Sequence, residues 1–202
     1  MGHHRTSVDS RARGATFLLA AAVLLITVGA CANPRAASPV SADPLPAPTG
    51  APAITGGMPS ALWQTLPVTD SEGKTFTLGE LTGTPVFVEF FATWCPTCRA
   101  QLGSTNAAAT TAGSTATFVA LSTETDLGPA DMAKYKADNA FDDIRFGVMS
   151  PQLLAAVVDA LGHDAANPPA TPHVVVSATG EVGELQTGAA DPATILGSLA
   201  GS

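Results

Sequence analysis

The alternation of apolar and polar positions divides the chain into an apolar leader, a Pro-rich stretch and an ordered pattern from about residue 60 onward. Residues 66–68, 70–73 and 75–78 (LPV, DSEG, TFTL) predict a strand, a turn and a second strand, hence a hairpin. Residues 85–91 (PVFVEFF) are almost continuously apolar, the pattern of a strand covered on both faces, and 115–122 (TATFVALS) is another such run. The segment between them, 96–112, is then the crossover helix, although Gly103, Ser104, Thr105, Thr110 and Thr111 all lower its helix propensity. Helices are also predicted over 129–139, 150–161 and 192–200. All four helices open with proline at the first helical position: Pro96, Pro129, Pro151 and Pro192. Ser150 and Asp191 are good N-caps, and Gly162 suits a helix end. A strand over 144–149 and a terminal hairpin, 173–177 with 181–187, complete the pattern, and no internal repeat is present. The prediction is an α/β domain with a central mixed sheet, helices on both faces and an N-terminal β-hairpin extension.

The leader reads as an address. Arg5, Arg11 and Arg13, with His3 and His4 beside them, precede an apolar run over 15–30, so residues 1–30 are read as a signal peptide. The run is shorter than the roughly 20 residues a spanning helix requires. It ends in Val28-Gly29-Ala30-Cys31, which resembles the bacterial lipobox, in which the cysteine is lipidated and becomes the first mature residue. Ordinary cleavage at small residues is the alternative. Residues 31–59 carry Pro34, Pro39, Pro44, Pro46, Pro48, Pro52 and Pro59 among Ala, Ser, Thr and Gly. Such a segment cannot bury enough apolar surface to offset its ordering entropy, so it is read as a spacer between a lipid on Cys31 and a domain over 60–202.

Composition narrows the partners. Apolar residues make up 46% of the 202, enough for a core, and the net charge is −8. An acidic chain without Lys/Arg clusters argues against nucleic acid as a partner.

The candidate chemistry lies at the end of the most apolar strand. Phe90-Phe91-Ala92-Thr93-Trp94-Cys95-Pro96-Thr97-Cys98-Arg99 places a Cys-x-x-Cys where a buried strand gives way to a helix, the context that marks such a pair as redox-active. Unpaired N–H groups and the helix dipole favour an anion at the helix start, so Cys95 is expected as an exposed nucleophilic thiolate. Cys98, about one turn on, is expected to be less exposed and to resolve the mixed disulfide. Glu89 is an acid inside the apolar strand, six residues before Cys95. Buried, it would have a raised pKa and could take the Cys98 proton; the alternative is a residue pointing to solvent near an edge.

Glu89 through Leu102 (EFFATWCPTCRAQL) resembles the active-site segment of thioredoxin-fold proteins, in particular the membrane-tethered bacterial TlpA/ResA-like branch. The resemblance implies a thioredoxin-like fold and a thiol–disulfide oxidoreductase needing no cofactor beyond the Cys95–Cys98 dithiol/disulfide. It implies Glu89 as the family's acid and Trp94 as a substrate-contacting residue. Thr171-Pro172 is implied as the cis-proline segment facing the disulfide, with Thr171 offering its backbone to a substrate strand. Pro96-Thr97, the dipeptide between the cysteines, tunes potential; it differs from residues often found in this branch and leaves the direction of electron flow open. Gly103 stands where the family often has a proline kink. A reductase of exported thiols, such as apocytochrome c, is the role implied, with an upstream membrane electron donor; a disulfide-forming oxidant is the alternative.

Rival readings of the pair are metal sites. Zinc normally takes four ligands, and His163, His173 and the distant Cys31 are the other candidates in the mature chain. Cu(I) suits two thiolates and a histidine, and His173 directly follows Pro172, so a copper-binding chaperone is the rival from another class. A histidine there is otherwise a strand residue satisfied by a backbone group. Trp94 and Arg99 have a plain alternative in packing and solvating the helix start, Arg99 could favour the Cys95 thiolate, and His163 and Asp164 read as surface residues.

Overall fold

The structure, a computed structural model, describes residues 61–202; the expected leader and spacer, with Cys31, lie outside them. Six strands form one mixed sheet: β1 (Val68–Asp70), β2 (Thr75–Phe76), β3 (Val86–Phe91), β4 (Thr117–Ser122), β5 (Arg145–Val148) and β6 (His173–Val176). Their order across the sheet is β2-β1-β5-β4-β3-β6. β3, β4 and β5 are mutually parallel, and β1 and β6 run antiparallel to their neighbours. The helices are α1 (Leu62–Thr65), α2 (Pro96–Ala112), α3 (Pro129–Asn139), α4 (Pro151–Leu161) and α5 (Pro192–Ala200). None of the described helices is long and apolar enough to cross a membrane.

Every residue of β3 is buried, as its continuous apolar run requires. Phe87 and Phe91 face a core shared with Cys98, Leu102 and Ile195, hence with α2 and α5. Val86, Val88 and Phe90 face a second core with Trp63, Leu153 and Val157, from α1 and α4. α2 forms over all of its predicted span despite poor propensity, and it runs unbroken through Gly103. Cys98, Leu102, Thr105 and Ala109 recur at helical spacing on its buried face, and that burial supplies what composition does not.

The N-terminal hairpin forms as expected and joins the sheet edge through β1 and β5. Asp70 fastens it by accepting from the N–H groups of Glu72 (3.0 Å) and Lys74 (2.9 Å) and by pairing with Arg145 (2.8 Å), whose guanidinium lies over Phe76. Gly147 of β5 permits the close approach: a Cβ there would collide with Val68 Cγ1 and press on Leu121 Cδ2. Gly147→Ala is therefore expected to lower the unfolding free energy by about 1–3 kcal/mol, read as a fall in urea midpoint with little change in slope. An unchanged midpoint would show that the hairpin is not tightly seated.

Two expectations are corrected here. The second arm of the terminal hairpin is not a strand: it meets β6 in two isolated bridges, Val182 opposite Val176 and Gln186 opposite His173, with a hydrogen bond from Gly183 N to Val175 O between them. Val182 and Leu185, the arm's apolar residues packed on the second core, stand three apart and so break the period-two alternation of a strand, and the arm approaches through Gly183, where a Cβ would stand 3.1 Å from Val175 O. The Thr171–Pro172 bond is also not cis, since the described residues contain no cis peptide bond. Thr171 takes up the turn by adopting left-handed φ of 48°.

Candidate active site

Cys95 caps the N-terminus of α2, with Pro96 at the first helical position. Its Sγ accepts from the Cys98 N–H at 3.1 Å, so a free helix-start donor points at the sulfur, as a thiolate there needs. Thr97 Oγ1 is 3.2 Å from the same sulfur. Cys95 and Cys98 are joined as a disulfide with Cα atoms 5.3 Å apart. The strand-to-helix junction and the pairing are thus as the motif demands.

The exposure of Cys95 is not as expected. Cys95 is 1% exposed and Cys98 fully buried. The cause is tertiary: the 3₁₀ turn Pro168–Ala170 stands against the pair, with Pro168 O 3.0 Å from Cys98 Sγ and Pro169 O accepting from Thr97 Oγ1 at 3.4 Å. Exchange with a partner therefore requires this turn or the helix start to yield. Trp94, by contrast, is 62% exposed immediately before the pair. Arg99 is also exposed.

Glu89 lies inside the molecule, fully buried beneath α2, and not at an edge. Thr105 Oγ1 donates to its Oε2 at 2.6 Å, and its Oε1 has no partner. Burial pushes its pKa up to about 8, against the lowering effect of the Thr105 bond, so the carboxyl holds its proton at neutral pH in this state. Thr105 stands about two helical turns beyond Cys98 on the same face of α2.

Pro172 is buried, and its carbonyl accepts from Phe90 N at 2.9 Å. Thr171 is buried as well; its N–H donates to Pro168 O at 2.8 Å, and its carbonyl lies 3.0 Å from His173 Nδ1. His173 stacks on Phe87 with ring centroids 5.2 Å apart. Among the described residues no three His, Cys, Asp or Glu side chains stand together as a metal-binding group. His163 and Asp164 are exposed in a 3₁₀ turn after α4.

Two residues that sequence reasoning passed over hold the site in place. Glu124 accepts from both the backbone N–H (2.5 Å) and the hydroxyl (2.8 Å) of Thr93, fixing the loop before Trp94 and Cys95 from the end of β4. Gln101 is buried on α2 and accepts from Ala190 N at 2.8 Å, tying α2 to the segment before α5. A polar residue in a helix or loop has no sequence signature for such a distant partner. Beside the disulfide, a groove of about 470 Å³ runs between α2 and the 169–171 and 187–189 segments, with Thr97, Gln101, Pro169 and Thr171 in its walls.

A family model described as Redoxin matches residues 43–197. No curated protein matched the chain. Among solved structures, the fold is similar to an exposed lipoprotein thioredoxin of Streptococcus pneumoniae, with a TM-score of 0.55 and 20% identity over 68% of this chain and 98% of that one. It is also similar to a secreted Mycobacterium tuberculosis disulfide oxidoreductase homologous to E. coli DsbE (TM-score 0.52, 19% identity, 69% and 98% covered). A thiol:disulfide interchange protein of Chlorobium tepidum is a third (TM-score 0.54, 23% identity, 66% and 92% covered).

Proposed function

Because this chain belongs to the Redoxin family and is a thioredoxin-like thiol–disulfide oxidoreductase with a Cys95–Cys98 pair, we propose that it acts outside the cytoplasm as a reductant of protein disulfides. The observation that carries the exchange chemistry is the Cys95 sulfur at the tip of α2, bridged to Cys98 and receiving the Cys98 N–H. In the forward cycle the Cys95 thiolate attacks a partner disulfide and expels one partner thiolate. The Cys98 thiol then loses its proton, attacks Cys95 Sγ and releases the second partner thiolate. The pair ends oxidised and the partner reduced by two electrons. Glu89 is the acceptor for the Cys98 proton, and its raised pKa in the disulfide form is that of a carboxyl holding a proton just received.

Partner strands dock along the groove of Thr97, Gln101, Pro169 and Thr171, with Trp94 as an exposed apolar contact. Thr171 lines the groove, with Pro172 next to it in the chain, and the Pro168–Ala170 turn shifts to admit the partner sulfur. The partners are thiols and disulfides of exported proteins, apocytochrome c among them, and an upstream membrane donor re-reduces the pair. Export rests on the basic-then-apolar leader over 1–30. A lipid on Cys31 would hold the domain to the outer face of the membrane through the 31–59 spacer. Cys31→Ala is expected to move the protein from the membrane fraction to the soluble fraction; an unchanged distribution would end the anchoring claim.

The direction of electron flow is tested by the reduction potential. A value near about −270 mV or lower marks a reductant and one near about −120 mV an oxidant. Thr97 has a definite sign in this measurement. Its hydroxyl, 3.2 Å from Cys95 Sγ, donates to the thiolate of the reduced form and so stabilises that form. A hydrogen bond to a charged group contributes about 1.5–3 kcal/mol, and about 30 mV corresponds to 1.4 kcal/mol, so Thr97→Ala should lower the potential by about 30–60 mV. An unchanged potential would place the hydroxyl on Pro169 O instead.

A further inference from the structure

We propose that Thr105 is a positioning residue for the exchange reaction: its hydroxyl stabilises Glu89 as a carboxylate, the form that can take the Cys98 proton. The inference rests on the reading of Glu89 as that acceptor and names the group that keeps it able to accept.

Thr105 is a costly residue where it stands. It is fully buried on α2, on the same face as Leu102, Ala108 and Ala109. Threonine lowers helix propensity, and a hydroxyl in apolar surroundings costs free energy unless it is hydrogen-bonded. The local remedy for a helical threonine is a bond to the carbonyl four residues back, as Thr111 makes to Ala107 O at 2.9 Å. Thr105 instead donates across to β3, to Glu89 Oε2 at 2.6 Å. A carboxylate oxygen only accepts, so the hydroxyl hydrogen lies on this bond.

The other groups around Glu89 do not share the task. Among the described residues Thr105 is the one hydrogen-bond partner of the carboxyl, since Oε1 has none, and none of the ion pairs includes Glu89. Across the sheet, Ala120 of β4 and His173 of β6 stand opposite it in register. Ala120 does not titrate, and the His173 Nδ1 is held at Thr171 O. Cys98 lies on the same buried face of α2 as Thr105. Tyr135 of α3 stays uncharged: burial first, and the charges of Glu89 and Glu124 after it, raise its pKa against the lowering effect of Arg99. For Glu89 itself, burial raises the pKa and the Thr105 bond lowers it.

The sign follows from the bond. A hydrogen bond to an ionised acceptor is stronger than one to a neutral acceptor, so the Thr105 hydroxyl favours the carboxylate over the acid. Without it burial acts unopposed, and less of the base is present at neutral pH. In the step it serves, the Cys98 S–H bond breaks and an O–H bond forms on Glu89. The Cys98 sulfur then bonds to Cys95 Sγ as the partner thiolate leaves. Thr105 neither gains nor loses a proton.

The test is the first-order closure of the Cys95–Cys98 disulfide after the reduced full chain meets excess glutathione disulfide, read by rapid acid quench from about pH 6 to 10. Thr105→Val keeps the shape and removes the hydroxyl, and Thr105→Ala removes it in favour of a better helix former. Both variants should slow closure near pH 7 by about 3–10-fold and move the midpoint of its pH profile up by about one unit, with rates meeting the wild type at the alkaline end. Thr105→Ser, which keeps the hydroxyl, should restore the wild-type profile. In a Glu89→Gln background, which is itself slow, neither loss variant should have a further effect on closure. An unshifted midpoint in both loss variants, or equal slowing at every pH and again in the Glu89→Gln background, would overturn the role of Thr105 and leave the Glu89 reading intact. A wild-type profile in Glu89→Gln alone would overturn both.

Discussion

Cys95→Ser is expected to abolish disulfide exchange, with a loss on the order of 10³-fold or more, because a serine hydroxyl is not ionised at neutral pH and cannot take the thiolate's place. Cys98→Ser is expected to behave differently. It leaves Cys95 able to attack and removes only the resolving sulfur, so mixed disulfides should accumulate on Cys95 and survive non-reducing electrophoresis. The asymmetry follows from the geometry: Cys95 receives the free N–H at the helix tip, whereas Cys98 is inside the helix with its sulfur against Pro168 O. Trapping these adducts in the native organism also identifies the partners. Equal trapping by both single variants would show that the roles are not divided as proposed.

The second large effect is on stability against pH, and it comes from Glu89. The folded carboxyl has a pKa of about 8 against an ordinary 4.5, so the folded protein binds a proton that the unfolded chain gives up. Stability from this group is complete below the unfolded value and is lost as pH rises through the folded one. Unfolding free energy should therefore fall between about pH 4.5 and 8, by an amount on the order of 5 kcal/mol at most, since each unit of pKa difference corresponds to about 1.4 kcal/mol. Glu89→Gln keeps a carbonyl oxygen for Thr105 and removes the titration. It should be less sensitive to pH over this window and more stable than the wild type at its upper end. Urea denaturation of oxidised protein at several pH values checks this; parallel curves for the two proteins would show that Glu89 does not titrate in that range. The same carboxyl thus lowers stability at alkaline pH and serves in the cycle, a common trade at functional sites.

The chemistry itself was legible in the chain because it is local. Cys95, Pro96 and Cys98 are contiguous, and Pro96 marks the helix start that puts the first sulfur on free N–H groups. The continuous apolar run of β3 announced a strand buried on both faces, and an acid within it, Glu89, could only be expensive or useful. The bounds of α2, α3 and α5 follow from proline and capping signals, which act over a few residues. α1 was missed because its four residues, Leu62–Thr65, are too short to show a helical period, although Trp63 is a main element of one core.

Other features depend on residues far apart in sequence, and only the tertiary structure decided them. The carbonyl set against Cys98 Sγ comes from a turn seventy residues on, at Pro168–Ala170. The clamp of Glu124 on Thr93 and the tie of Gln101 to Ala190 are contacts of the same kind. The trans Thr171–Pro172 bond reflects how the chain enters β6, which a Thr-Pro pair alone leaves open. The facing of Glu89 and His173 is a matter of strand register: a slip of one residue would send the imidazole to the opposite core, and nothing in either strand's own sequence sets which residue it meets. Sequence by itself determined the redox pair, its helix and the buried acid, because hydrogen-bond donors and burial patterns are written locally. Tertiary structure alone decided what stands against the sulfurs and what fixes the loop before them, because both depend on which distant segments pack together.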